Sequence, residues 1–305
     1  MNKNQDFLLE IGTEELPPNN LITLSDSLRE EVAKGLNKKN LTYKKIKTYA
    51  TPRRLSLIVY DLANKQKKET VLQKGPPLHI AFDKNNKPTK ATRAFAKKCG
   101  CSVEELKTKT SEKGSWLIYE KTIQGSPTKN IIPLIIKQAL ENLPIARKMK
   151  WGQNNYEFVR PVHSLIMLHG KKIIPYKLFG INSGNISFGH RVHCSKKLII
   201  DHPENYIKKL KTQGSVLVDF NERKKLILSA IINESKKLNG TPIYNEEFLN
   251  EVTGLTEFPV PVKGSFNKEY LSLPKEVIIA TLQNHQRYFP IASKNGRLLP
   301  NFITI

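Results

Sequence analysis

The stretch 42-TYKKIKTYATPRRLSLIVYDL-62 predicts two paired β-strands and decides how the first part of the chain folds. Residues 42–50 and 54–62 are rich in β-branched and aromatic residues, which is typical of strands. Thr51-Pro52 separates the two runs and favours a turn, because proline fixes the backbone and removes a hydrogen-bond donor. The stretch therefore predicts two strands joined by a turn.

The residues before this stretch extend it to a β-α-β-β unit. Residues 7–12 alternate between faces and predict a strand, whereas the apolar spacing of 21-LITLSDSLREEVAKGL-36 predicts a helix that ends near Gly35. Thr13, followed by Glu14 and Glu15, is expected to start a short helix that Pro17-Pro18 stops. The first sixty residues are therefore expected to form one compact layer.

The rest of the chain continues as a mixture of helices and strands. A loop is expected at 74-KGPP-77. Helices are predicted at 89–98, 128–142, 203–211, 221–238, 246–254 and 274–285, and strands at 115–122, 157–169, 173–179, 186–193, 259–265 and 287–292. In the helix 221–238 the residues expected to share one broad face are Leu226, Ile227, Ala230, Ile231 and Leu238. The fold class is therefore α+β, with mixed β-sheets and packed helices, and the expected segments are a β-α-β-β unit at 1–65, a mixed basic region at 66–200 and a helix-rich region at 201–305.

The charge of the chain points to an acidic partner. Its 305 residues carry a formal net charge of +23, and the isoelectric point is near 9.8. Nucleic acid is the commonest polyanion that such a chain meets, because Lys and Arg neutralise its phosphates. Lys greatly outnumbers Arg, however, which is also the profile of an AT-rich genome. A solvated surface without a specific partner therefore stays open as an alternative.

Membrane and disulfide-rich classes are excluded by the sequence. The segment 1-MNKNQDFLLEIGTEE-15 has no apolar core of a signal peptide, and no apolar run approaches the roughly 18 residues that a membrane span requires. Cys99, Cys101 and Cys194 are an odd number of cysteines in a long chain, which disfavours a disulfide framework. We therefore expect a cytoplasmic protein without a membrane partner.

Motifs of catalysis are missing from the sequence. It contains no G-x-x-x-x-G-K-[ST] loop and no G-x-G-x-x-G loop after a strand. The run 147-RKMK-150 only faintly resembles a KMSKS loop, and 158-FVRPVH-163 lacks the acid of an F-R-x-E motif. No catalytic residue and no cofactor-binding residue is therefore predicted.

The sequence offers two candidate metal sites, and neither is favoured. Glu10, Glu14 and Glu15 have the ligand type for Mg²⁺, but a helix N-terminus that attracts anions explains them better. The group Cys99, Cys101, His163, His190, His193 and Cys194 has the wrong spacing for a zinc site. No metal is therefore predicted.

Several basic residues are candidates for binding nucleic acid or a protein partner. In 51-TPRRL-55, Arg53 and Arg54 are expected to point to opposite faces, so that one pairs inside the fold and the other is free. On the helix 89–98, Lys90, Arg93 and Lys97 form one basic stripe, while Ala91 and Phe95 face inward. Whether this stripe contacts RNA or only solvent stays open.

A second basic group surrounds the aromatic residues of 148-KMKWGQNNYEFVRPVHSL-165 and 189-GHRVH-193. Arg191 and His193 are expected on one face of the strand 186–193, with His190 and Val192 on the other. Lys150, Trp151 and Arg160 are expected beside that polar face and, with it, to bind RNA through charge and stacking. A polar network that only holds two strands together is the alternative. The loop lysines Lys84 and Lys87 are expected to contribute little.

Four of these segments also carry a family resemblance. The segments 7-FLLEIGTEELPP-18, 51-TPRRL-55, 148–165 with 189–193, and 273-LPKEVIIATLQNHQRYFP-290 resemble, in order, the β subunit of the bacterial tetrameric (α2β2) glycyl-tRNA synthetases. The resemblance implies that this chain corresponds to the N-terminal part of that subunit, without its HD-like and anticodon-binding domains. It also implies a fold similar to the editing-like region of the phenylalanyl-tRNA synthetase β chain. Phe258 and Ser164 depart from the family pattern, which usually has Trp at both positions.

The resemblance implies a role without chemistry of its own. The α subunit would use ATP and Mg²⁺ to activate glycine, and this chain would bind tRNA(Gly) and the α subunit. Two alternatives are a generic basic RNA-binding α+β protein and a remnant editing domain for aminoacyl-tRNA. Editing by a double sieve removes products smaller than the cognate one, and no amino acid is smaller than glycine.

Overall fold

The computed structural model describes residues 4–83, 85–111, 114–153 and 155–305. Its contacts divide the chain into two compact units. The larger unit combines the residues up to Asn64 with Lys129–Ile305, and the smaller unit is Lys65–Thr128. The segments expected at 1–65, 66–200 and 201–305 stay a prediction.

The helices of the described residues follow the predicted spacing closely. They are α1 (Leu21–Lys38), α2 (Leu78–Ala81), α3 (Lys90–Cys99), α4 (Thr128–Glu141), α5 (Tyr206–Gly214), α6 (Phe220–Lys236), α7 (Glu246–Leu255) and α8 (Lys275–Ala280). A π-helical turn, Thr281–His285, continues α8.

The strands of the described residues are shorter and more numerous than predicted. They are β1 (Gln5–Thr13), β2 (Lys45–Thr51), β3 (Arg54–Leu62), β4 (Glu69–Pro77), β5 (Lys107–Ser111), β6 (Gly114–Ile123), β7 (Met149–Trp151), β8 (Tyr156–Phe158), β9 (Val162–His169), β10 (Lys172–Ile173), β11 (Lys177–Leu178), β12 (Ile181–Asn182), β13 (Ile186–Phe188), β14 (Lys197–Ile199), β15 (Gly240–Pro242), β16 (Val262–Ser265), β17 (Phe289–Ser293) and β18 (Leu298–Thr304). The α+β class is confirmed.

A five-stranded antiparallel sheet organises the larger unit. Its order is β10-β9-β1-β3-β2, so β1 lies between β3 and β9. Leu9 of β1 stands opposite Leu57 of β3 and Met167 of β9. The predicted β-α-β-β unit is confirmed, because β2 pairs with β3 along the whole length of β2 and the two strands meet at Thr51 and Arg54.

One face of this sheet packs against α1 and α4. The helix α1 presents Leu21, Leu24, Leu28, Val32 and Leu36, all buried at helical spacing. Its predicted end near Gly35 is three residues early, since the helix continues to Lys38. Gly35 instead permits a close approach of α4, because a Cβ there would lie 2.5 Å from Cγ2 of Ile135.

The opposite face of the sheet carries a smaller core. Leu8, Ile58 and Ile166 pack there against Tyr206 and Leu210 of α5. Side chains alternate along a strand, so Glu10 of β1 shares this buried face with Leu8. A carboxylate placed in a core needs polar partners, which are described below.

A third core lies in the C-terminal part of the larger unit. Ile227 and Ile231 of α6 pack with α7 and the sheet β15-β17-β18-β16. The predicted inward face of α6 is wrong at Leu226, which is 44% exposed, and the buried stripe instead begins at Arg223. The buried stripe contains Arg223, Ile227 and Ile231, which lie four residues apart and therefore share one face of α6. Leu226 lies outside that face.

The smaller unit consists of the sheet β4-β6-β5 with α2 and α3. The loop predicted at 74-KGPP-77 is wrong. This segment is the end of β4, and a register shift between Lys74 and Pro77 absorbs the prolines. The prediction that Ala91 faces inward is also wrong, because Ala91 is exposed and the buried positions of α3 are Thr92 and Ala96.

Three further predictions near the central sheet are corrected. No helix starts at Thr13, since β1 runs through that residue. The strand predicted at 157–169 is divided into β8 and β9, so Arg160 lies in the bend between them. The strand predicted at 186–193 ends at Phe188, and residues 191–193 form a turn. Within the described residues, no helix is long and apolar enough to cross a membrane.

Candidate functional site

The end of the central sheet brings three chain segments together. The N–H of Thr13 donates to the carbonyl of Arg53 at 2.9 Å, and the N–H of Glu14 donates to the carbonyl of Pro161 at 2.9 Å. Because β1 is antiparallel to both neighbours, its last residues meet the first residues of β3 and β9. This topology places the side chains of TPRRL and RPVHS around the end of β1.

A cavity of about 310 Å³ opens at this end of the sheet. The residues that line it come from β1, the β2–β3 turn, β9 and the segment after β13. They are Glu10, Gly12, Thr13, Glu14, Arg53, Arg54, His163, Ser164, Phe188, Gly189, Arg191 and Ser195. Three predicted candidates, Arg53, Arg54 and Arg191, are thus brought to one place. We call this feature the sheet-end cavity.

A buried ion-pair network forms the floor of the sheet-end cavity. Arg54 is 5% exposed, and its guanidinium contacts Glu257, 3.2 Å from Nη2, and Glu10, 3.7 Å from Nη1. Thr51 Oγ1 donates to Glu257 Oε1 at 2.6 Å. Ser187 Oγ and Tyr206 Oη donate to Glu10 at 2.7 and 2.6 Å. Each buried carboxylate therefore has a cationic neighbour and at least one hydrogen-bond donor, as a charge in a core requires.

The network favours the charged form of Arg54 and the neutral form of Tyr206. Burial alone lowers the pKa of Arg54, but the carboxylates of Glu257 and Glu10 outweigh it and raise that pKa. Burial, followed by the charge of Glu10, raises the pKa of Tyr206 well above its ordinary value. Tyr206 therefore stays a hydrogen-bond donor. Arg54 pairs inside the fold, as one of the two arginines was predicted to do, and its burial removes it from the surface that a macromolecule can contact.

Arg223 is a second buried guanidinium that the sequence analysis missed. Its Nη1 donates to the carbonyl of Leu217 at 2.6 Å and its Nη2 to the carbonyl of Ala50 at 2.7 Å. Burial lowers its pKa to about 10. The spacing of Arg223, Ile227 and Ile231 is the signal that places this arginine on the inward stripe of α6.

The mouth of the sheet-end cavity carries looser pairs. Glu14 lies 3.0 Å from Nε2 of His163 and 3.7 Å from Nη2 of Arg53. Nη1 of Arg191 lies 3.9 Å from Glu15, and both side chains are exposed. Two buried atoms, Thr13 Oγ1 and Arg53 Nε, have no hydrogen-bond partner within the described residues. Such atoms are rare in proteins and usually meet water, an ion or a ligand.

The acidic residues at this end do not form a shared cation site. Glu10 is 2% exposed and bound to Ser187 and Tyr206, whereas Glu14 is 44% exposed and bound to His163. The alternative of a helix N-terminus is also wrong, because β1 continues to Thr13. In the part of the chain that the structure describes, no group of three or more His, Cys, Asp or Glu side chains is arranged to hold a metal.

The turn that follows β13 places His193 beside an aromatic ring. The backbone N–H groups of Val192 and His193 both donate to Nδ1 of His190 at 3.2 Å. The rings of His190 and His193 lie 4.5 Å apart, and His193 contacts the ring of Phe258 at 6.4 Å. Burial lowers the pKa of His190, which suits a neutral ring whose Nδ1 accepts these bonds.

The hairpin β7–β8 carries the second basic group. Trp151 packs against Phe179 at 5.9 Å and Tyr156 at 6.4 Å, and Lys150 pairs with Glu157 at 3.1 Å. Arg160 follows the hairpin, and its Nη1 donates to its neighbour's carbonyl, that of Val159, at 2.9 Å. The structure therefore brings Lys150, Trp151 and Arg160 together.

Arg191 and His193 do not join this hairpin. They contact Glu15 and Phe258, respectively. The predicted surface thus becomes two surfaces, because the chain leaves the strand after Phe188. Beside the hairpin lies a second cavity of about 520 Å³ whose lining includes Lys148, Tyr156, Tyr176 and Lys177.

The helix α3 of the smaller unit carries the third basic group. Lys90, Arg93 and Lys97 are exposed and make no ion pair with any described residue. Thr89 caps the helix, since its Oγ1 accepts from the N–H of Thr92. The predicted basic stripe is therefore present on a regular, capped helix.

Comparison with known proteins gives a consistent picture along the chain. The family model described as glycyl-tRNA synthetase beta subunit matches residues 7–305. The glycine–tRNA ligase beta subunit of Histophilus somni (strain 2336) is 42% identical over 301 residues, which are 99% of this chain and 44% of that protein. The same subunit of Marinobacter nauticus is 40% identical over 302 residues, again 99% of this chain and 44% of the relative.

The chain therefore spans less than half of the length of these relatives. The matched range nevertheless includes most of β1, the TPRRL turn, the β7–β8 hairpin and α8, which carry the segments quoted above. The chain belongs to the family of glycyl-tRNA synthetase beta subunits.

Proposed function

We propose that this chain assists the ATP-dependent attachment of glycine to tRNA(Gly) by binding the tRNA and a catalytic α subunit. The observation that carries this proposal is the family match over residues 7–305. In this proposal the α subunit binds ATP and Mg²⁺ and activates glycine, and this chain binds no cofactor. The place of action is the cytoplasm, where tRNA is charged.

The basic surfaces support the tRNA part of the proposal. Of the ten candidate residues, nine remain outside the buried network: Arg53, Lys90, Arg93, Lys97, Lys150, Trp151, Arg160, Arg191 and His193. Lys90, Arg93 and Lys97 are exposed on α3 with no acid paired to them among the described residues. Contact with phosphates releases condensed counterions, which favours binding by such a surface.

The aromatic residues of the β7–β8 hairpin support contact with unpaired bases. Trp151 and Tyr156 are partly exposed and stand among lysines. Single-stranded RNA is commonly bound by such combinations, because every base has a face that stacks on an aromatic ring. We therefore place unpaired tRNA nucleotides at this hairpin and duplex phosphates at α3.

A remnant editing domain is the second candidate function, and the sheet-end cavity is the observation that favours it. The expected likeness of this region to the editing-like part of the phenylalanyl-tRNA synthetase β chain belongs to the same candidate. The size argument disfavours hydrolysis, because no amino acid smaller than glycine exists for a second sieve to admit. Incubation of the chain with mischarged alanyl-tRNA(Gly) tests this candidate, and we expect no release of alanine above the spontaneous rate.

Reconstitution with an α subunit from a close relative tests the main proposal. Glycylation of tRNA(Gly) is measured with the α subunit alone, with the chain alone and with both. We expect the chain to co-elute with the α subunit and to lower the KM for tRNA, and the chain alone to show no glycine-dependent ATP–pyrophosphate exchange. Exchange by the chain alone, or neither co-elution nor tRNA binding, would overturn the proposal.

A further inference from the structure

We propose that the sheet-end cavity binds a small oxyanion, a carboxylate or a phosphate group, through Arg53, Thr13 and Arg191. The site goes beyond the proposed function and does not depend on it. Its ligand chemistry has two possible sources, a free small molecule or a phosphate of the RNA backbone. The experiment below separates the two.

Two buried polar atoms of residues that line the cavity have no hydrogen-bond partner in the described part of the chain. Thr13 is 1% exposed, and its Oγ1 has no partner among the described residues. Arg53 also lines the cavity, and its buried Nε has no partner among the described residues either. The backbone holds these two residues together, because the N–H of Thr13 donates to the carbonyl of Arg53 at 2.9 Å. Both residues line the cavity, and an acceptor group that enters between them is the proposed partner of both atoms.

The carboxylates of the site are engaged by other residues, so they do not accept a hydrogen bond from Nε of Arg53. Glu10 accepts from Ser187 and Tyr206, and Glu14 faces His163 at 3.0 Å. A guanidinium Nε carries only a donor, and a carbonyl, carboxylate or phosphate oxygen is what it requires. Because Nε of Arg53 can only donate, the site favours an oxyanion over a cation.

The charges of Arg53 and Arg191 are only loosely compensated. Arg53 lies 3.7 Å from Glu14, and Arg191 lies 3.9 Å from Glu15. Both distances exceed the 2.7–2.9 Å that is typical of a charge-assisted hydrogen bond. The planar guanidinium fork matches the geometry of carboxylate and phosphate oxygens. Arg54 is excluded as a ligand, because it already forms ion pairs with Glu257 and Glu10 in the floor of the cavity.

The backbone around the cavity is built for close approach. Gly12 lines the cavity, and a Cβ there would lie 2.2 Å from Oγ of Ser164. Gly189 lines it on the other side, and a Cβ there would lie 2.3 Å from the carbonyl oxygen of Cys194. Larger residues at either position would displace the walls. These glycines bring Ser164 and the 189–195 segment up to the cavity.

Glu14, at the mouth of the sheet-end cavity, provides a specific test of the proposed site. Its carboxylate is the nearest anion to Arg53 and therefore competes with an incoming oxyanion. Replacing it by Gln removes the negative charge but keeps the shape. We therefore expect Glu14→Gln to tighten oxyanion binding and Arg53→Gln to weaken it, whereas a surface without a site responds to neither change.

Titration with inorganic phosphate tests the proposal. Calorimetry or phosphorus NMR is used with the whole chain at constant ionic strength. Relative to the unmodified chain, we expect Arg53→Gln to weaken phosphate binding about tenfold or more, as for one charge-assisted hydrogen bond, and Glu14→Gln to strengthen it. Arg29→Gln is the matched control, because Arg29 is an exposed arginine of the same unit that pairs with Asp26 at 3.1 Å. Equal affinity in the Arg53, Glu14 and Arg29 variants, or no phosphate binding at all, would overturn the proposal.

Thr13→Val separates a binding role from a structural one. Valine has the shape of threonine and removes the hydroxyl that lacks a partner. We expect the variant to keep or raise the melting temperature without phosphate and to bind phosphate more weakly. A well-folded Thr13→Val chain with unchanged phosphate affinity would contradict the assignment of Thr13.

Competition with RNA identifies the source of the oxyanion. If tRNA displaces phosphate and Arg53→Gln weakens both, the site holds a backbone phosphate. If phosphate and tRNA bind together, the site holds a free small anion. Acetate in place of phosphate then shows whether a carboxylate is accepted as well.

Discussion

Arg54 and Glu257 are 203 positions apart in sequence, yet Nε of Arg54 donates to Oε1 of Glu257 at 3.2 Å inside the protein. The pair joins the first residue of β3 to the segment that follows α7. Removal of one partner leaves the other charge buried without compensation, which is strongly destabilising. The network therefore couples the central sheet to the C-terminal part of the larger unit.

Replacement of Arg54 should destabilise the fold severely. We expect Arg54→Ala to lower the free energy of unfolding by about 3–5 kcal/mol, as for one partner of a buried ion pair. Arg53→Ala is the matched control. Arg53 directly precedes Arg54 in the chain, but its side chain is 26% exposed and lies 3.7 Å from Glu14. Urea unfolding measures both variants. Equal losses of stability would show that the network contributes no more than a surface pair.

Stability at mildly acid pH should depend on His169. Its ring is buried, and burial lowers its pKa below the ordinary value of 6.5. The unfolded chain therefore binds the proton first, so this residue's contribution is complete above pH 6.5 and is lost as the pH falls through the folded pKa. The slope is at most about 1.4 kcal/mol per pH unit for one proton.

His169→Gln checks this dependence. We expect urea unfolding between pH 7.5 and 5 to show a shallower loss of stability in the variant than in the unmodified chain. His79→Gln is the control, since His79 is exposed. A slope that is unchanged in His169→Gln would contradict the role of His169.

The arginines beside the aromatic hairpin and the sheet-end cavity should matter more for tRNA than a loop lysine does. We expect Arg160→Ala or Arg191→Ala to weaken tRNA binding by about 1–3 kcal/mol, as for a charge-assisted hydrogen bond. Lys87→Ala should change it by less than about 0.5 kcal/mol, as for ordinary surface changes. Lys84, the other loop lysine considered in the sequence, lies outside the described residues.

Equilibrium binding with labelled tRNA measures these variants, and circular dichroism checks that each one is folded. The sequence predicted that strands hold both arginines in place, whereas the structure places both of them outside the strands. Arg160 is held by the carbonyl of Val159 and not by a strand, whereas Arg191 extends from the 191–193 turn. Equal effects of Arg160, Arg191 and Lys87 in folded variants would mean that position on the surface is irrelevant.

The basic stripe of α3 should set part of the salt dependence. We expect the triple change Lys90→Ala, Arg93→Ala and Lys97→Ala to reduce the log–log salt slope of tRNA binding by about 2–3, since each phosphate contact contributes roughly 0.7–0.9. The control removes three lysines that pair with acids three or four residues away: Lys34, Lys137 and Lys237. The same reduction in both triple variants would assign the effect to net charge alone.

Local patterns made much of the central sheet predictable. The β2–β3 pair followed from strand-forming residues on both sides of Thr51-Pro52, and α1 followed from apolar residues at helical spacing. Glu10 was not predictable as a core residue, because a carboxylate in an alternating strand normally faces water. Its burial depends on Ser187 and Tyr206, which lie 177 and 196 positions away. No local pattern contains that information.

The candidate sites were predictable only in part for a similar reason. The composition of 186–193 favours a strand, but the N–H of His190 donates to the carbonyl of Gly214 at 2.7 Å and draws the chain away from β13. This long-range bond separates Arg191 and His193 from Trp151. The basic stripe of α3, by contrast, needs only helical geometry, and the structure has it as predicted.

Titration of tRNA(Gly) with the unmodified chain at several salt concentrations tests the central claim most directly. Binding through several phosphates predicts an affinity that falls steeply, with a log–log slope of several times −0.7 to −0.9. An affinity that stays flat as salt rises, or no binding at low salt, would contradict the claim and leave the +23 charge as a property of composition alone.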